Sequence, residues 1–213
     1  MRLTLWITFG ALFSLPLLWG CVDETREGIA LDPIDVGLAV DLGVDAEQPP
    51  IGYATPEYCG RCHQSHYEQW RGSMHAYATK DPVFRAMNAK GIAETEGRLD
   101  QFCVQCHAPV ASLKNMLPVS EVDGTYIQPL DMSNPFVGDG VQCVTCHSIE
   151  SVEATQNAQF TLSEITYFGP TGSAEANEAH PMEASELFSA PDRKSLLCGS
   201  CHDVLNPNGA RLE

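Results

Sequence analysis

Apolar residues are spread along this chain in short, interrupted clusters, with one exception at the N-terminus. There Met1-Arg2 is followed by the predominantly apolar run Leu3 to Trp19 and then Gly20-Cys21. A charged start, a short apolar run and a small residue before the cut have the form of an export signal, predicted over 1–20. Val22 to Pro50 then carries eight acidic residues against a single Arg and has no aromatic residue. Such a stretch cannot bury enough apolar surface to offset its chain entropy. Residues 21–50 therefore read as an acidic flexible tether with a coil reach of roughly 30 Å. The near-repeat Asp35-Val36-Gly37-Leu38 and Asp41-Leu42-Gly43-Val44 leaves a pair of short edge strands as the alternative.

From Ile51 onward the pattern predicts a third region, 51–213, built of short elements. Tyr67 to Trp70 reads as part of a helical turn. Asp81-Pro82 is an N-cap followed by a first-turn proline, opening a helix through Ala89 that Lys90-Gly91 would end. Leu99–Cys106 and Ser195–Cys201 are predicted as short helices. Leu117–Gly140, broken by Pro and by Gly138-Asp139-Gly140, reads as loop, and Gly169–Gly172 as a turn. The predicted class is mainly α with long irregular loops, and long periodic segments that could build a core are few.

The cysteines account for that shortage. Of nine, eight fall into four copies of C-x-x-C-H: Cys59 and Cys62 with His63, Cys103 and Cys106 with His107, Cys143 and Cys146 with His147, Cys198 and Cys201 with His202. This is the attachment signature of c-type haem. Two sulfurs spaced in this way lie along one porphyrin edge, and the adjacent His reaches the iron from the proximal side. A disulfide framework or zinc sites would not require a His after every second Cys. The chain is thus expected to wrap round four covalently attached haems, which supply most of its core. The ninth cysteine, Cys21, closes Leu18-Trp19-Gly20-Cys21, similar to a bacterial lipobox in which the new N-terminal Cys carries lipid. An exported, membrane-anchored protein in the periplasm or at the outer membrane is expected, with an ordinary secretory signal or a retained anchor helix as the alternatives.

Charge narrows the partners. Twelve basic against 28 acidic residues give a formal net charge of −16, which excludes nucleic acid as an expected partner and suits a basic or neutral redox protein.

Three histidines lie outside the motifs, His66, His75 and His180, so at most three irons could have histidine on both faces. His180 sits in the breaker-flanked Ala179-His180-Pro181-Met182 and is a distal candidate. His66, three residues past His63, is read as solvent-facing or as a distal ligand to another haem. Met116 and Met132 lie in loops from which a thioether could reach an iron and raise its potential, with packing as the plainer reading.

His75 stands in Trp70-Arg71-Gly72-Ser73-Met74-His75-Ala76. Tyr67, Trp70, Ser73, His75 and Ala76, with Phe102-Cys103-Val104-Gln105-Cys106-His107-Ala108-Pro109 and Gly140-Val141, resemble the multihaem c-type cytochromes of the cytochrome c-554 type, electron acceptors in ammonia oxidation. The resemblance covers about residues 53–203. It implies a small multihaem cytochrome c fold and makes His75 the distal ligand of a different haem. It also implies that relatives continue past His202, so the region ending at Glu213 is either a minimal domain or one truncated at its C-terminus.

Electron transfer between haems and a redox partner in the cell envelope is the function expected. Two alternatives stand beside it. An iron lacking a distal ligand could act on nitrite, hydroxylamine or nitric oxide, although no C-x-x-C-K motif is present. Tetrahaem subunits could also assemble into a filament. The sequence leaves the oligomeric state open.

Overall fold

The computed structural model describes residues 52–173, 177 and 180–212. The expected signal, the lipidation candidate Cys21 and the tether lie outside the described residues. So do the alternative edge strands.

The first half is a run of short helices with legible caps. In α1 (Pro56–Gly60) and α3 (Met74–Tyr77) the side chains of Thr55 and Ser73 accept the first free amides. Between them lies α2 (Gln64–Arg71), which contains the Tyr67–Trp70 turn predicted above. Asp81 caps α4 (Pro82–Glu94) as expected, accepting from the Val83 amide. The helix does not stop at Lys90-Gly91 but runs on to Glu94. Gly91 sits inside it, where a Cβ would lie 2.5 Å from the Leu99 Cδ2 methyl, so the absent side chain leaves room for Leu99 to pack. The helix predicted from Leu99 is shorter than expected, with turns up to Cys103 and α5 only at Val104–His107, followed by α6 (Pro109–Leu113).

The stretch read as loop, Leu117–Gly140, contains structure. β1 (Ser120–Val122) pairs antiparallel with β2 (Thr125–Ile127) across Asp123-Gly124, both at positive φ, as a tight hairpin turn requires. Asn134 then caps α7 (Pro135–Gly138). After α8 (Cys143–His147), β3 (Ile149–Val152) pairs antiparallel with β4 (Phe160–Leu162). β5 (Tyr167–Gly169) pairs in parallel with β6 (Met182–Ala184), so Gly169 ends a strand and does not open the predicted turn. Next come α9 (Glu186–Ser189), α10 (Lys194–His202), which includes the predicted Ser195–Cys201 helix, and the antiparallel β7 (Val204–Leu205) and β8 (Arg211–Leu212). The sheets among the described residues are all two-stranded. "Mainly α" thus becomes helices supplemented by four strand pairs.

Two small apolar clusters hold these pieces. One gathers Tyr53, Val110, Val144, Ile149, Leu162 and Leu187, the other Phe84, Val104, Ala108, Ala111, Leu117 and Val137. Val104 and Val144 lie inside C-x-x-C-H motifs, so the motif helices are themselves core elements. Much apolar surface stays outside: Met74, Val83, Met87 and Ile165 are each more than 60% exposed. Two small clusters with large apolar side chains left over fit a chain that expects a further apolar body. Among the described residues no helix is long and apolar enough to cross a membrane.

Candidate metal centres

Each motif puts its two cysteines and its histidine on or beside one helical turn. His63 lies between α1 and α2, His107 ends α5, His147 ends α8 and His202 ends α10. The eight motif cysteines are all free of disulfides. Two histidines have their ring orientation fixed by backbone. His107 Nδ1 lies 2.9 Å from the Ala78 carbonyl oxygen and His147 Nδ1 lies 2.8 Å from that of Phe168. A carbonyl can only accept, so each Nδ1 carries the proton and each Nε2 keeps its lone pair free for a metal. Both rings are also packed flat, His107 against Phe84 at 3.9 Å and His147 against Phe188 at 5.2 Å between ring centres. In α4 the apolar face explains the first contact: Phe84, Asn88 and Ile92 recur every four residues and are buried.

The histidines outside the motifs converge on motif histidines. His75 and His202 have ring centres 6.1 Å apart, and His180 and His63 6.3 Å. A metal gripped between two imidazoles, at about 2 Å from each nitrogen, separates the ring centres by about 6 Å once the ring radii are added. Both pairs have that spacing. Both side chains are exposed, yet partial desolvation by the surrounding chain, then the neighbouring imidazole, lowers the pKa of His63 and of His75 and so favours the neutral, ligating form. Tyr167 packs edge-on against His180 at 5.1 Å.

His66 also lies 6.2 Å from His63. Only three residues separate them, with His63 the N-cap of α2 and His66 in its first turn, so neither ring arrives from a separate part of the chain, and a grip on one iron from opposite sides is disfavoured. Opposite His107 and His147 the described residues place no imidazole stack of this kind. The loop methionines have other contacts. Met116 Sδ accepts from Asn134 Nδ2 at 3.8 Å, and Met132 packs against the second apolar cluster.

The donor set fits haem better than a bare ion. Among the described residues no three or more His, Cys, Asp or Glu converge to hold a metal. The imidazoles come in twos, which suits an iron whose remaining four ligands are porphyrin nitrogens. Sulfurs of different motifs also meet. Cys59 and Cys143 lie close enough to interact, and that interaction, followed by burial, raises the Cys59 pKa. Cys106 and Cys201 are neighbours in the same way, and the Cys106 pKa is likewise raised. Burial, then the nearby Cys198, Cys201 and Cys143, push the Cys146 thiol up to about 11.

Some participants were invisible in the sequence: the carbonyls of Ala78 and Phe168, and the flat contacts of Phe84 and Phe188. Only the buried face of α4 gave a signal, and it pointed to a core position, not to a histidine.

Comparison with known proteins gives a likeness to one family over part of the chain, and a similar fold. Residues 58–148 match the model of the family described as cytochrome c554 and c-prime. No curated protein matches the chain. The fold is similar to the crystal structure of a penta-heme cytochrome c552 from Thermochromatium tepidum, with 26% sequence identity and a TM-score of 0.56. That match covers 76% of this chain and 49% of the other, so the chain spans about half the length of that protein.

Proposed function

We propose that this chain is a multihaem c-type cytochrome, as its likeness to that family and fold supports, and that it carries four haems and passes electrons along them to a redox partner in the cell envelope. The observation that carries this reading is the pairing of His75 with His202 and of His180 with His63 at about one bis-imidazole span. Haem c supplies a one-electron iron couple when bound. Histidine on both faces leaves an iron no position for substrate, which suits transfer. Cys59 and Cys62, Cys103 and Cys106, Cys143 and Cys146, and Cys198 and Cys201 form the thioethers. His63, His107, His147 and His202 bind on the proximal side.

The sulfur contacts support a continuous route. Each motif sulfur marks an edge of its own haem. Contact of Cys59 with Cys143 and of Cys106 with Cys201, with Cys146 near Cys198 and Cys201, links the sites in the order first, third, fourth, second. The acidic surface favours a basic or neutral partner.

A second reading is favoured by one observation: among the described residues no imidazole pairs with His107 or His147 as His75 does with His202. An iron held there would be open to a small ligand, and reduction of a small nitrogen compound is the corresponding activity.

Two measurements test the proposal. The mass of the mature protein should equal the chain plus four haems, none extractable by acidified organic solvent, and three or fewer haems in fully matured protein would defeat it. Carbon monoxide added to the reduced protein should bind two irons of the four. Rapid reoxidation by a one-electron acceptor, without turnover of nitrite or hydroxylamine, is expected for the carrier; sustained turnover would establish the second reading instead.

Cys21 is proposed as the lipid attachment site, with Val22 after it favouring the outer over the inner membrane, by analogy with lipoprotein sorting. Cys21→Ala should release a soluble periplasmic protein with an unchanged haem spectrum. A variant that stays in the membrane fraction, or a wild type that is already soluble, would overturn the anchor.

A further inference from the structure

We propose that the backbone of Gly140-Val141 is a positioning element for His75, so that the segment leading into the third haem motif sets the ligation of the fourth haem. The inference rests on His75 being a distal ligand. The His75 carbonyl accepts from the Val141 amide at 3.0 Å, and the Val141 carbonyl in turn accepts from Trp70 Nε1 at 2.8 Å. Helix α2, the turn of α3 and the chain before Cys143 are thereby tied at one point. Gly140 makes the close approach possible. Its φ is +62°, and a Cβ there would lie 2.5 Å from the His75 carbonyl oxygen and 3.2 Å from Ala78 Cβ. A side chain at this position is therefore both strained and in collision.

The residues around this point serve more than one site. Ser73 caps α3, and Ala76 is buried beneath it. Ala78 gives its carbonyl to His107 of the second motif, and Thr79 Oγ1, fully buried, donates to the Val137 carbonyl at 2.7 Å. One short turn, 75–79, thus meets the imidazole of His202, the ring of His107 and the approach to the third motif. The His75 side chain is exposed in the protein chain itself, so its own packing does little to fix it. Its backbone does that work, through Val141.

The test uses the mature, haem-loaded protein, with electron paramagnetic resonance of the ferric state and carbon monoxide binding to the ferrous state. Gly140→Ala is expected to lose or shift the low-spin signal of one haem and to bind one further carbon monoxide per chain, at unchanged haem content. Gly124→Ala is the control. Gly124 has a similar φ of +75° but nothing within 4 Å of the added Cβ, and its spectra should match wild type. Trp70→Phe keeps a ring but removes the indole N–H, and should shift the same signal by a smaller amount. If Gly140→Ala and Trp70→Phe give wild-type spectra while His75→Ala does not, the positioning role is wrong and the ligand assignment stands. A silent His75→Ala defeats both. Should Gly140→Ala fail to accumulate, the Trp70→Phe spectrum decides: a shift supports the role and wild-type signals overturn it.

Discussion

Replacing His75 by Ala is expected to convert one low-spin haem in four to high spin and to open that iron to carbon monoxide. The haem affected should be the one attached at Cys198 and Cys201, because the His75 ring centre lies 6.1 Å from that of His202. Its potential should rise, since a ligand that stabilises ferric iron is lost. Haem content should not change, because thioethers and proximal histidines remain. The effect should be large because the backbone that presents the imidazole is already ordered by a capped turn, leaving only side-chain rotors to be fixed on binding. Electron paramagnetic resonance makes the check. A spectrum identical to wild type would mean that the proximity of the two rings has no metal between them.

The second large effect is expected at His180, with His66 as its internal comparison. Both lie about 6 Å from His63, yet only His180 arrives from a separate part of the chain and can face His63 across an iron. His180→Ala should therefore open the haem held at Cys59 and Cys62, giving a high-spin signal and one additional bound carbon monoxide. His66→Ala should leave spectra and potentials at wild-type values. The reverse pattern would make His66 the ligand and would require the turn from His63 into α2 to be rebuilt. Either outcome can be read from one pair of reduced-minus-oxidised spectra with and without carbon monoxide.

Attachment can be proposed from sequence alone because the motif is local: two sulfurs and an imidazole within five residues form a unit whatever surrounds them. The same holds for the Asp81-Pro82 start of α4, where cap and proline act within one turn. Helix α4 runs past the Lys90-Gly91 stop to Glu94, with Gly91 packed beside Leu99, a neighbour that local backbone preference does not reveal. Asp123-Gly124 did carry a hairpin signal, overlooked among the surrounding breakers; its strands are only three residues each and mostly exposed, so alternation was too short to see. The partners of His75 and His180 could not be read at all. Which ring faces which depends on how α10 and β6 return to the first helices, and no pattern within either segment encodes that return. Gly140-Val141 lies between these cases: the family likeness marks the pair in the sequence, and only the fold shows the His75 carbonyl against it.

The meeting of Cys59 with Cys143, and of Cys106 with Cys201, has a consequence for manufacture of the protein in the cell. Before maturation these are thiols, and an oxidising compartment would join neighbours of this kind into disulfides. One such bridge takes a sulfur from each of two motifs, so a single oxidation event blocks two attachment reactions together. The wrong bond is also the one that native-like folding brings within reach, so early compaction makes the error easier. Successful assembly is then a race between attachment and oxidation, in which a supply of reductant, or attachment before the two halves of each contact come together, decides the yield.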